Sequence, residues 1–199
     1  MNLFFSVFIK IFFMMTPFFV LSVFLTITNE AENKEKIKLA LKVTLSVIIL
    51  SLILFFFGKH IFSVFGITLD AFRIGAGILL FLTAVELIHG AKDGQTVEGK
   101  NLTELAVVPL AIPITIGPGT IGILLVMGAE LKTAAELLTA SLALLSAILL
   151  IGIMLLLSVF FKRLMGEQGL LIISKITGLF LSAISAQIVF TGIKNFLKL

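Results

Sequence analysis

The stretch VVPLAIPITIGPGTIG, residues 107–122, holds three prolines and three glycines in sixteen positions and not one charged side chain. Proline removes a backbone donor and clashes with the carbonyl four residues before it, while glycine admits sharp changes of direction and close approach. A straight continuous helix through this stretch would be strained. Yet it lies inside an apolar block running from about Leu105 to Met127, and roughly 20 apolar residues in a helix cross a hydrocarbon core of about 30 Å. Backbone groups left open in hydrocarbon cost several kcal/mol each, so a broken span must turn them towards protein or a wet cavity. The expectation is a half-helix beginning near Gly119 and Thr120, with free N–H groups carrying about half a positive charge. Carbonyls left open at Ile114 or Thr115 carry the opposite polarity. Such a pair of ends suits a zwitterion, its carboxylate on the N–H groups and its ammonium on the carbonyls. The plainer reading is a proline kink that only shapes packing.

Outside this stretch the chain is equally apolar. Of its 199 residues, 59% are hydrophobic and 13% charged, and the mean hydropathy is +1.23. That leaves too little polar surface for a water-soluble domain. Six apolar blocks are candidate spans: about Leu3–Thr28, Leu39–Phe57, Leu69–Ile88, Leu105–Met127, Leu137–Phe161 and Leu170–Phe190. The connections near 29–38, 58–68, 89–101, 128–136 and 161–169 are short, which predicts a single membrane domain over 1–199. From Asn2 to Thr28 the only charge is Lys10, with no basic leader and no small-residue cleavage pattern, so this block reads as a retained span. The expected fold class is therefore an all-α membrane protein of six transmembrane helices.

Orientation follows lysine and arginine. Nine of them fall on or beside the first, third and fifth connections (Lys34, Lys36, Lys38, Lys42, Lys92, Lys100, Lys162, Arg163 and Lys175), and six on the other side. The expectation is a cytoplasmic (inner) membrane protein with both termini outside. The basic residues are scattered, which argues against nucleic acid. Without cysteine, and with His60 and His89 far apart, a metal site is not expected. No nucleophile elbow, zinc-binding histidine pair or phosphate loop is present, so no enzyme is expected.

The two halves align with each other. Pro17 and Pro118 are separated by 101 residues, as are Glu86 and Gln187. Arg73 and Gly77 in the first half find counterparts in Lys175 and Gly178 of the second. All four prolines (Pro17, Pro109, Pro113 and Pro118) fall in the first and fourth spans, so both helices are expected to be broken by Pro/Gly. Three spans per half require two inverted three-helix repeats, repeat one about 1–90 and repeat two about 105–199. Arg73 and Lys175 would then snorkel at opposite faces. Asp70 and Arg73, three apart, would pair on one helix face. Ala71 with Gly75, and Gly178 with Ser182, have the spacing of close helix crossings. Glu86, after a run of uncharged residues, and Gln187 are candidates for a gate or coupling role; a carboxylate simply reaching the interface explains Glu86 as well.

The strings FGITLDAFRIGAGILLF (65–81) and AVVPLAIPITIGPGTIGILL (106–125) resemble the signatures of the MarC family, also described as a six-span neutral amino acid transporter family with SnatA-like members. The resemblance covers essentially the whole chain. It implies a cytoplasmic-membrane protein with an inverted three-plus-three fold and, for some members, ion-coupled transport of glycine- or alanine-like solutes. By position, the second-half motif falls on Pro113, Gly117, Pro118, Gly119 and Thr120. The first half departs: the family often has Asp or Asn before the first proline, and Gly, Asn and a second Pro after it, where this chain has Thr16, Phe19, Val20 and Ser22.

The expected function is a secondary transporter of small neutral amino acids working by alternating access. Thr16, Pro17, Pro113, Gly117, Pro118, Gly119 and Thr120 would bind the substrate. The partners would be the lipid bilayer and the solute, with an oligomer allowed; no cofactor is implied beyond a coupling ion, sodium or proton. The alternatives are a non-transporting scaffold or partner subunit, and a passive channel.

Overall fold

The structure, a computed structural model, describes residues 3–89 and 106–198. The described residues are almost entirely helical. Helix α1 (Leu3–Met14) stops three residues before Pro17, which opens α2 (Pro17–Ile27), and the pair bends by 41°. Proline suits this first helical position, where an N–H would have no intrahelical acceptor. Helix α3 (Asn33–Phe65) starts with a reciprocal cap between Glu32 and Glu35 and stops at Gly66, whose φ of 63° favours glycine. Helix α4 (Leu69–His89) follows.

The second half opens with a π-helical segment, Val107–Thr115, and continues after a break with α5 (Pro118–Glu130). Pro113, preceded by a cis peptide bond, has no N–H for the carbonyl four residues back, and the Ile116 N–H reaches five residues back to Ala111 (2.8 Å). Helix α6 (Ala134–Leu156) begins with a capping box of Thr133 and Glu136. Helix α7 (Ser158–Leu197) is interrupted at Gly166, with φ 64° and ψ 176°.

Among the described residues, four helices are long and apolar enough to cross a membrane: Asn33–Gly58 within α3, then α4, α6 and α7; the bent α1–α2 pair makes a fifth. The fourth expected span, about Leu105–Met127, lies in two pieces, each too short to cross alone. Expected connections at 58–68 and 161–169 prove largely helical, since α3 continues to Phe65 and α7 starts at Ser158. The connection at 89–101 lies almost wholly outside the described residues.

Glycines set the helix crossings. A methyl group on Gly128 would overlap the carbonyl of Phe55, and one on Gly58 the carbonyl of Leu125, so α3 and α5 run antiparallel with backbones in contact. Gly77 lies against Val189, Gly178 against Ala84 and Leu87, and Gly192 against Ile74, which locks α4 along α7. This is the small-residue packing that lipid demands, because apolar side chains gain little by leaving it. Gly178 thus serves the expected crossing, but Gly75 faces open space and Ala71 is exposed. Gly77 carries that contact instead, while Ala76 lies against Gly122 of α5. The outward faces are apolar too: Leu45, Ile49, Ile53 and Phe56 of α3 are all half or more exposed, a stripe that only lipid solvates well.

Candidate functional site

The two breaks meet. In the first, the Met15 and Thr16 N–H groups turn back to the carbonyls of Ile11 and Phe13 (3.0 and 3.1 Å), and Val20 picks up the helix from Thr16 (3.0 Å). Thr16 is left-handed, with φ 46° and ψ 56°, and only 4% exposed. For a β-branched residue this is a strained conformation, held by complete burial. Met14 ends α1, and the break at Thr16 carries the Phe18 N–H, its helical donor, into α2, so the Met14 carbonyl would be left open. The hydroxyl of Thr120, in the first turn of α5, donates to it at 3.2 Å. Thus the N-terminus of one half-helix bonds to the C-terminus of the other half's broken helix, with both residues buried.

The second break is extended rather than left-handed, Gly117 having φ −74° and ψ 168°. Its hydroxyl chemistry is local: Thr115 donates to the Leu110 carbonyl at 2.7 Å, supplying a donor where the π-helix runs out. First-turn amides of α5 and the last carbonyls of the π-helical segment have no intrahelical partners, so groups of both polarities converge here.

Of the seven residues expected to bind substrate, the structure buries Thr16, Pro17, Gly119 and Thr120 at this junction, leaves Gly117 half-buried, and exposes Pro113 and Pro118. Gly119 lies against α4, where a Cβ would come within 2.6 Å of the Leu80 Cα. The glycine permits that packing whatever else its amide does. Gln187 lines a cavity, whereas Glu86 is exposed.

Two cavities flank the junction. One, of about 350 Å³, is lined by Ser22, Leu25, Thr26 and Asn29 of α2 and by Lys162, Glu167 and Leu170 of α7. The other, of about 130 Å³, is lined by Ile123, Val126, Met127 and Glu130 of α5, by Arg73, and by Lys10, Gln187 and Thr191 among others. Ser22 and Ile123, Leu25 and Val126, Thr26 and Met127, and Asn29 and Glu130 are each 101 residues apart. That is the spacing of Pro17 and Pro118. The cavities lie at opposite ends of the bundle: Asn29 precedes the start of α3, while Gly128 abuts Phe55 in its second half.

Around the smaller cavity, Arg73 pairs with Asp70 at 2.7 Å and also with Glu130. Asp70 in turn accepts from the Asn195 side-chain amide at 3.4 Å. The Asp70–Arg73 pair is the one expected from spacing. Arg73 does not snorkel, however: it is 6% exposed, because two carboxylates neutralise it in place. Lys175 is exposed, and Ser174, 101 residues after Arg73, is buried and bonds the Leu170 carbonyl. Glu130, and the polar lining of the larger cavity, went unnoticed in the sequence; only the 101-residue offset from Asn29 could have pointed to Glu130. Among the described residues, no cluster of His, Asp and Glu fit to hold a metal occurs.

The sequence profile of the MarC family integral membrane proteins matches residues 1–197. The chain belongs to the MarC family. It is 35% identical to a UPF0056 membrane protein of Aquifex aeolicus (strain VF5), over 98% of this chain and 94% of that one. A Methanocaldococcus jannaschii relative, UPF0056 membrane protein MJ0972, is 33% identical over 97% and 87%. UPF0056 membrane protein YhcE of Escherichia coli (strain K12) is 31% identical over 96% and 92%. No solved structure matches this MarC-family chain. It is an integral membrane protein, in contact with a lipid bilayer.

Proposed function

We propose that this MarC-family protein is a secondary transporter of a small neutral solute, an amino acid of the size of glycine or alanine, built from two inverted three-helix repeats that rock against each other. The observation that carries the reading is the Thr120–Met14 hydrogen bond joining two interrupted helices. A break in a membrane helix is tolerated where its open groups meet protein or a solute, and discontinuous helices are how transporters present amides and carbonyls to a zwitterion. Repeat one comprises α1 to α4, and repeat two the Val107–Thr115 segment with α5 to α7. The matched registers of the two cavity linings, at opposite ends of the bundle, support both the inverted repeat and a two-sided path.

In this scheme Thr16, Pro17, Gly117, Gly119 and Thr120 form the binding locus, and Pro113 and Pro118 hold the second break open from its outer side. The substrate carboxylate takes the free amides at the start of α5 and the ammonium takes the facing carbonyls. A sodium ion or proton supplies the coupling, with Gln187 in the path and Glu86 at the opposite end. The membrane is the cytoplasmic one, with both termini outside; burying Arg73 in an ion cluster removes it from the outer tally of topology charges and strengthens that orientation.

The test is reconstitution of the folded protein into liposomes with labelled glycine, alanine and serine under imposed sodium and proton gradients. Saturable, gradient-driven uptake is expected. Flux that never saturates and ignores gradients would mark a channel instead. Uptake no greater than in empty liposomes would leave a scaffold or partner subunit.

A further inference from the structure

We propose that the Arg73–Glu130 ion pair is a latch between the two halves that holds the α4–α5–α7 cavity narrow, making the state with the wider α2–α7 cavity the resting one. The proposal rests on the alternating-access reading above.

Arg73 stands on α4, in the first half, and Glu130 ends α5, in the second. A carboxylate at a helix C-terminus is disfavoured by the helix dipole, so nothing within α5 accounts for it; its partner on α4 does. The cluster is poorly suited to a ligand. Asp70 and Glu130 together cancel the formal charges of Arg73 and Lys10, and a guanidinium already held by two carboxylates offers an incoming anion no net attraction.

Among the described residues, the opposite end has no such tie. There Asn29 occupies the register of Glu130, and Ser174 that of Arg73, its hydroxyl engaged with the Leu170 carbonyl. The ion pair present at that end, Lys162 with Glu167 (3.3 Å), joins two exposed side chains of α7 alone. It cannot fasten one half to the other. The cavity volumes follow the same asymmetry, about 130 Å³ at the latched end and about 350 Å³ at the other.

The chain has no cysteine, so single reporters can be placed at the matched positions Ser22→Cys and Ile123→Cys. Their labelling rates by a charged, membrane-impermeant maleimide would be measured in lipid nanodiscs, with and without Glu130→Gln. Glu130 is half exposed and Asp70 continues to neutralise Arg73, so this variant keeps its fold, checked by its elution and melting profile. Expected is labelling about two- to fivefold faster at position 123 and slower by a similar factor at position 22, the range a part-exposed ion pair supports. Salt at about 1 M, which shrinks the screening length to about 3 Å, must move the unmutated parent in the same directions. Lys10→Gln, which removes a charge from the same cavity but no ion pair, must leave both rates alone. Unchanged rates in Glu130→Gln overturn the latch and leave alternating access standing. A rise at 123 with no fall at 22 overturns both, since the two cavities would then open independently. An equal effect from Lys10→Gln overturns the latch in favour of bulk charge.

Discussion

Replacing Thr120 by valine keeps the shape of the side chain and removes the donor that satisfies the Met14 carbonyl. Both residues are 3% exposed, so water cannot take over the bond. Inter-helix hydrogen bonds in membranes are worth about 0.6 kcal/mol on average and at most about 1.7. At 3.2 Å this one is long for a hydroxyl donor, which argues against the upper limit. The Met14 carbonyl, at the end of α1, is nonetheless left without a donor in the valine variant, and an orphaned buried group costs about 1–3 kcal/mol. A loss of about 1 kcal/mol is therefore expected, a fall of about 2–4 °C in melting midpoint for a chain of this size. Thermal unfolding in detergent would measure it, with Thr120→Ser as the variant that restores the hydroxyl and the midpoint. Labelled amino acid uptake by the same proteins should fall with valine and recover with serine. If valine matches the parent in both assays, the two breaks are not coupled through this bond, and the reasoning about the junction fails.

The helix crossings give a sharper contrast in stability. Gly128→Ala forces a methyl group into the Phe55 carbonyl and should cost about 1–3 kcal/mol. Gly75→Ala, with nothing in its way, should stabilise α4 by about 0.5–1 kcal/mol; denaturant titration separates the two outcomes. In the ion cluster, Asp70→Asn and Glu130→Gln should each be mild, whereas the double variant leaves a buried guanidinium unpaired and should lose about 3 kcal/mol or more. A double-mutant cycle in which the two losses simply add would contradict that.

Much of this architecture is legible in the sequence, for reasons that differ from one element to the next. The breaks are, because proline and glycine act on the backbone directly: Pro17 and Pro118 each start a helix where expected. The Asp70–Arg73 pair is, because three residues apart is a local rule of helices. Glu130 is not, since its partner sits on another helix and no local spacing links them. Nor are the inner and outer faces of the helices. In a membrane both are apolar, so Phe55 (0% exposed) and Phe56 (52%) look alike in sequence. Helix ends are blurred for a related reason: Gly58–Lys59–His60 reads as a polar turn, but Gly58 is where α3 meets α5, and the helix runs on. At the junction the sequence places the amides correctly yet gives no hint that Gly119 is committed to packing on Leu80.

In the proposed inverted arrangement, the cavities of the two related halves face opposite sides of the bilayer. In sealed vesicles of one orientation, Ser22→Cys and Ile123→Cys report on those two linings at matched positions. An impermeant thiol reagent added outside should reach one of them, and the same reagent trapped inside should reach the other. Labelling of both from the same side would contradict the inverted arrangement and the transport path built on it.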